Sequence, residues 1–215
     1  ENITPQSDST LRMIHECVIR GHRVAITSGA NLTIRDSLTM AFCKLIEEKP
    51  KHSSVPETFY KQAKFREQML PLAGFDVIFM RANPPLDTIV LNFLDSVKDE
   101  VLIVNDVQGL REANNKLYTA AMNDAAQSIT PRTFVSKNKD YLLKVVKESD
   151  SRKMIMKPLN GFGGSGVIVI EKDAMQNVYS LLDFYITGKG GETNYVILQD
   201  YVDGAEEGDV RVMML

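Results

Sequence analysis

The chain has 215 residues, 44% of them apolar and 25% charged, with a formal charge of -3. That length allows one large domain or two small ones with ample core, and the slight negative charge offers no basic field for nucleic acid or an anionic membrane. No apolar run approaches bilayer-spanning length and no signal-peptide pattern opens the chain; Cys17 and Cys43 lack metal-ligand spacing, which fits a reduced, cytoplasmic setting with two inert thiols in helical stretches.

In chain order, Ser7 or Asp8 is a candidate N-cap for a helix over residues 10–20, with Leu11, Ile14, Cys17 and Val18 on one face. Gly21 stops it, and residues 24–27 read as a strand. Residues 33–49 mix apolar and charged positions without a clean period and are read as helix, and residues 60–69 as another. Phe75 to Arg81 reads as a buried strand ending in a charge. A helix over 87–97, a strand over 101–105 and a helix over 107–121 follow. Strands alternating with helices argue for a parallel α/β sheet in this first part.

A domain boundary is expected near Ser128, giving an N-terminal domain over 1–127 and a second, α+β domain over 128–215. In the second part a helix is expected over 139–148. Two strands then flank a glycine-rich loop, a helix covers 174–187, and a polar loop covers 188–194. A strand over 195–199, a turn over 203–208 and a final strand from Asp209 close the sequence. A loop-like start and a finish inside a strand suggest a piece of a longer protein.

The segment Lys157-Pro158-Leu159-Asn160-Gly161-Phe162-Gly163-Gly164-Ser165-Gly166 carries the chemistry. Glycines let backbone N–H groups approach an anion, and the lysine adds a point charge, so the natural ligand is a polyphosphate. Residues 161–166 also satisfy G-x-G-x-x-G, but that fingerprint needs a helix directly after the loop. Here Val167-Ile168-Val169-Ile170 reads as a strand, so the unit is a flap between two strands, or else an ordinary glycine-rich hairpin.

Other residues keep two readings each. Lys116, mid-helix, is a ligand or a solvated face residue. Gln199, Asp200, Tyr201 and Val202 offer backbone groups to an adenine edge, or simply end a strand. Asp209 and Arg211 share a strand face as a site rim or a salt-bridge pair. Arg81, at a strand's C-terminal end, meets a carboxylate or a surface partner.

In order and approximate spacing, these segments resemble the prokaryotic-type glutathione synthetase family of the ATP-grasp superfamily over most of the chain. The resemblance rests on Met80-Arg81-Ala82-Asn83-Pro84-Pro85-Leu86-Asp87, Ile103-Val104-Asn105 and Leu110-Arg111-Glu112-Ala113-Asn114-Asn115-Lys116-Leu117. It continues through Thr130-Pro131-Arg132-Thr133, the Lys157–Gly164 segment and Gly208-Asp209-Val210-Arg211-Val212. The element around Arg81 is the more specific; the lysine and glycine loop is shared more widely, and residues 26–65 match poorly.

The resemblance implies an N-terminal pre-ATP-grasp α/β domain without its first strand, followed by an incomplete ATP-grasp domain. It implies that Lys116 and Lys157 bind ATP phosphates under a loop formed by Gly161, Gly163, Gly164, Ser165 and Gly166. Gln199, Asp200, Tyr201 and Val202 would hold adenine, Asp209 the ribose, and Arg211 would stand catalytically beside phosphate and substrate. Arg81 would meet a carboxylate of γ-glutamylcysteine. The implied reaction joins γ-glutamylcysteine and glycine through an acyl phosphate, with ATP and Mg²⁺. The magnesium ligands and glycine pocket would lie beyond this chain, leaving it unable to catalyse alone, and a homo-oligomer is expected by analogy. The acidic pair Glu206-Glu207 departs from the family pattern and adds negative charge near the nucleotide. The alternatives are another ATP-grasp ligase, such as one adding glutamate to a peptide, a non-catalytic ATP-binding module, or a plain α/β domain.

Overall fold

The computed structural model describes residues 8–47, 55–122, 129–161, 163–188, 193–210 and 212. The chain forms two compact units, Glu1–Arg111 and Glu112–Leu215. The boundary expected near Ser128 lies outside the described residues.

The first unit opens with α1 (Ser9–Ile19), capped by the Asp8 carboxylate, which accepts from the Leu11 N–H at 2.9 Å. Of the two candidate caps, Asp8 is the one described. Strand β1 (Ala25–Ile26) follows as expected, but residues 33–49 are not helical. They form β2 (Leu32–Arg35) and β3 (Leu38–Ile46), joined through Asp36 and Ser37 at φ 50° and 65°, with residues 48 and 49 outside the described residues. Positive φ at both turn residues is what a two-residue hairpin of matching twist requires. Along β3, Thr39, Ala41, Cys43 and Leu45 are buried, a clear period of two. Leu38 and Phe42 on the exposed face are apolar as well, which hid that period. Cys43 therefore lies on a strand rather than a helix.

The helix expected over 60–69 is displaced. α2 (Pro56–Gln62) ends at Ala63, whose ψ of 129° turns the chain into β4 (Phe65–Pro71), paired antiparallel with β3. Sheet order is β1-β3-β2, with β4 also on β3. The expected parallel pairing is present between β5 (Val77–Phe79) and β6 (Leu102–Val104). β5 is not buried on both faces, since Val77 is 38% and Phe79 47% exposed. Between these strands α3 (Thr88–Asp95) starts at its Asp87 cap. The helix expected over 107–121 is broken into α4 (Val107–Glu112) and α5 (Leu117–Ala120), because the Asn115 side chain takes the Leu117 N–H at 2.8 Å and starts a new helix. Ala41, Cys43, Leu72, Leu91, Leu94, Val97, Val101 and Val107 make this unit's main core.

In the second unit, β7 (Thr133–Ser136), β8 (Lys153–Pro158), β9 (Ile168–Glu171) and β10 (Val196–Asp200) form an antiparallel sheet in the order β7-β10-β8-β9. α6 (Lys139–Glu148) and α7 (Met175–Ile186) match the expected helices closely. Leu142, Val145 and Val146 of α6 and Val178, Leu182 and Ile186 of α7 pack on Met154, Met156, Val196 and Leu198. Each fully buried aliphatic side chain contributes about 1.5–3 kcal/mol. Alternation then sends Thr133, Ile155, Lys157, Ile197 and Gln199 to the opposite face. One sheet thus makes a helix-backed core with one face and a polar, lysine-bearing surface with the other. Asp209, Val210 and Val212 are in no strand, contrary to the expected final strand; Arg211 and residues 213–215 lie outside the described residues. Among the described residues no helix is long and apolar enough to cross a membrane.

Candidate functional site

Antiparallel register sets Lys157 of β8 opposite Ile197 of β10, and Gln199 of β10 opposite Thr133 of β7. Lys157 Nζ donates to Gln199 Oε1 at 2.7 Å, and Gln199 Nε2 donates to Thr133 Oγ1 at 2.7 Å. Lys157 is half-buried and its ammonium titrates below the ordinary lysine value, first because burial disfavours the charge and then because Lys116 is nearby. Lys116, at the N-terminal boundary of α5, donates from Nζ to the Gly161 carbonyl at 2.6 Å. These two lysines, with Thr130, Thr133, Ile197 and Gln199, line a cavity of about 70 Å³. That is far below the roughly 300–1,000 Å³ of ordinary ligand pockets, so this cavity by itself does not enclose a nucleotide.

The glycine loop lies between β8 and β9. Gly161, Gly163, Gly164 and Gly166 all have positive φ, at 137°, 62°, 75° and 69°, conformations costly for side-chain-bearing residues. At Gly166 a Cβ would also stand 3.2 Å from Pro158 Cδ. The Lys116 backbone N–H donates to the Leu159 carbonyl at 3.3 Å, and the Tyr185 hydroxyl of α7 donates to the Gly166 carbonyl at 2.9 Å. The loop is therefore tied at both ends, while Gly163, Gly164 and Ser165 between them are exposed. Sequence reasoning missed Tyr185, which carries no local signal and reaches the loop only because α7 packs beneath the sheet.

At the end of β10 the Asp200 carboxylate pairs with Arg132 Nε at 2.7 Å, and the Asp200 N–H donates to the Arg132 carbonyl at 3.0 Å. The Val202 carbonyl accepts from the Ala205 N–H at 3.2 Å. Among the described residues, the Tyr201 backbone and the Val202 N–H remain available to a planar ligand edge. The Tyr201 hydroxyl donates to Glu206 Oε2 at 2.8 Å, giving one member of the acidic pair a structural partner. Asp209 is exposed, and Arg211 lies outside the described residues.

In the first unit, Arg81 follows β5 and is exposed. Its Nη2 donates to Ser9 Oγ at 2.8 Å and its Nε to Thr10 Oγ1 at 3.3 Å, at the start of α1. Both partners are neutral hydroxyls, so among the described residues no carboxylate offsets the guanidinium charge. A larger cavity of about 460 Å³ also lies in this unit, beside α3 and β6. Asp95, Asp99, Glu100 and Asp106 line it, and four carboxylates against Lys98 repel a polyphosphate. The smaller, lysine-lined surface suits an anion better.

Both units match known proteins. The N-terminal domain model of prokaryotic glutathione synthetase matches residues 1–111, and the ATP-grasp domain model of the same protein matches residues 115–215. The chain is 34% identical over 219 residues to the glutathione synthetase of Escherichia coli O6:H1, covering 100% of this chain and 64% of that protein. It is 27% identical over 223 residues to that of Thermosynechococcus vestitus, covering 100% of this chain and 66% of the relative. The chain thus spans a little under two thirds of the length of these relatives. A RimK domain ATP-grasp protein from Sphaerobacter thermophilus shares the fold, with a TM-score of 0.56 at 16% identity over 93% of this chain and 62% of that one. With one domain model matching each unit in sequence order, the chain belongs to the prokaryotic glutathione synthetase family.

Proposed function

We propose that the full-length protein is an ATP-dependent glutathione synthetase and that this chain supplies one wall of its nucleotide site together with a substrate-carboxylate contact. The observation that carries the reading is the meeting of Lys116 and Lys157 at one small cavity, with Lys116 also holding Gly161 at the start of a loop of positive-φ glycines. Two ammonium groups and close-approaching backbone N–H groups suit the β- and γ-phosphates of ATP. The Tyr201 backbone and Val202 N–H suit the adenine edge, Asp209 the ribose, and Arg211 the transferred phosphate.

In the reaction a γ-glutamylcysteine carboxylate oxygen attacks the γ-phosphorus, and the bond to ADP breaks. The glycine amine then attacks the acyl carbon, phosphate leaves, and the amine gives up a proton. The contribution of this chain is positioning and charge neutralisation. Arg81, held by two hydroxyls and by no carboxylate among the described residues, suits the carboxylate of γ-glutamylcysteine. Mg²⁺ would neutralise phosphate charge, but among the described residues no cluster of His, Cys, Asp or Glu fits a metal ion. A cytoplasmic location and self-association belong to the same proposal.

The test is glycine-dependent release of ADP and glutathione from ATP and γ-glutamylcysteine by the full-length gene product. ADP release with another acid or amine, and none with glycine, would move the protein to a different ATP-grasp ligase. Nucleotide binding without turnover of any acid would make it a binding module.

A further inference from the structure

We propose that Thr133 is a positioning residue for Lys157, acting through the carboxamide of Gln199. The inference rests on the nucleotide reading of the cavity and goes beyond it in assigning Thr133 and the Gln199 side chain a role. The Thr133 hydroxyl donates to the Pro131 carbonyl at 2.8 Å. A hydroxyl has one proton, so toward Gln199 this oxygen can only accept. Gln199 Nε2 supplies that hydrogen bond at 2.7 Å, which turns Oε1 away from Thr133 and toward Lys157, 2.7 Å from Nζ.

The reverse amide orientation fails at both ends. Nε2 would face the ammonium, donor against donor. Oε1 would need the Thr133 proton, leaving the Pro131 carbonyl without it. The four groups thus share one proton order across three neighbouring strands, β7, β10 and β8. Register enforces it: Gln199 stands opposite both Thr133 and Ile155, one step along from the Lys157–Ile197 pair. All three side chains are partly buried, where water competes poorly for these bonds. A free lysine side chain samples many rotamers; this one is docked before the nucleotide arrives, which lowers the ordering cost of binding.

The test uses the full-length protein with Thr133→Val, which keeps shape and removes the hydroxyl, and Thr133→Ser, which keeps the hydroxyl. Two measurements are made: ATP affinity, and the rate at which an amine-reactive acylating reagent labels Lys157 without nucleotide, read by mass spectrometry. Thr133→Val is expected to weaken ATP binding about threefold to tenfold, the worth of one net hydrogen bond. The loss should appear in KM for ATP more than in kcat. Lys157 labelling should quicken several-fold, because an ammonium without an oriented carbonyl loses its proton more readily. Thr133→Ser should restore both.

Gln199→Leu should reproduce the labelling change, and adding Thr133→Val to it should have no further effect. Gln199→Leu therefore carries the test should Thr133→Val fail to fold. Unchanged labelling in the variants, or a serine variant as impaired as the valine one, overturns the relay. Failure of ATP to protect wild-type Lys157 from labelling overturns the nucleotide reading instead, because the relay is read without nucleotide.

Discussion

Lys116 holds Gly161: its ammonium donates to the glycine carbonyl at 2.6 Å, from a residue whose own N–H binds Leu159 two positions earlier. The cation that suits a phosphate also fixes the entrance of the loop that would cover it. Lys116→Met should therefore do two things at once. Amide hydrogen exchange at residues 163–166 should quicken, and ATP affinity should fall by about tenfold, the scale of a charge-assisted hydrogen bond. Weaker binding with unchanged exchange would leave Lys116 as a phosphate ligand with no hold on the loop.

Glycine matters to different degrees along that loop. At Gly163 an added Cβ meets nothing within 4 Å, so alanine pays only for φ of 62°, about 1 kcal/mol. At Gly166 the same change adds a 3.2 Å approach to Pro158 Cδ, on a ring that cannot swing away. Gly166→Ala should cost more than Gly163→Ala, about 2–3 kcal/mol in urea unfolding. Equal losses would mean that φ alone sets the glycine requirement.

Legibility followed periodicity and punctuation. α6 and α7 carry apolar residues at helical spacing on a single face, and they fell within a residue or two of their expected bounds. The glycine loop and its flanking strands were equally plain, since several glycines between two β-branched runs admit few conformations. β3 failed because its exposed Leu38 and Phe42 are as apolar as its buried Leu45, so burial rather than composition holds the alternation. The break before α5 depended on one Asn115 side-chain bond, below what a periodicity argument resolves. At the site, Lys116, Lys157 and Gln199 were named, but Thr133 was only a letter in a motif. Its role depends on a strand register that becomes visible once β7, β10 and β8 are laid side by side.

The lowered Lys157 pKa has a definite sign. In the window between its folded value and the ordinary value near 10.4, the unfolded chain binds more protons than the folded one, so stability rises with pH through that window. Below the folded value both states are protonated and the burial penalty is fully present. A polyphosphate favours the ammonium, so ATP binding within the window should take up a proton and weaken as pH rises. Calorimetry in two buffers of different ionisation enthalpy reads that proton directly. Lys157→Arg, charged throughout, should abolish the uptake; uptake persisting in this variant would assign it to another group.

Glu206 gives the same sign of slope from the opposite cause, a charged form favoured by hydrogen bonds rather than a charged form penalised by burial. Its carboxyl is held below the ordinary glutamate value, first by its own backbone N–H and then by the Tyr201 hydroxyl. What this adds to stability is present above the ordinary carboxylate value and is lost as pH falls through the folded value. The pair is exposed, so the effect is small and local. In Tyr201→Phe the Glu206 carboxyl carbon, followed by NMR, should titrate at higher pH than in the wild type. An unmoved midpoint would mean the backbone N–H acts alone.

On the proposed reading, Arg81 separates the two substrates. Its hydroxyl partners Ser9 and Thr10 orient the guanidinium without neutralising it, leaving the charge for a ligand carboxylate. Arg81→Lys keeps the charge but loses the planar fork, so the two hydroxyls and a carboxylate compete for one compact ammonium on a shorter reach. In the full-length protein it should raise KM for γ-glutamylcysteine by about tenfold or more, while ATP affinity stays within about twofold. On the proposed reading, ATP affinity depends on Lys116, Lys157 and the loop, all of which belong to the other compact unit. A parallel loss of both affinities would make Arg81 a residue that holds the fold, because a carboxylate contact alone has no route to the nucleotide's ground-state binding.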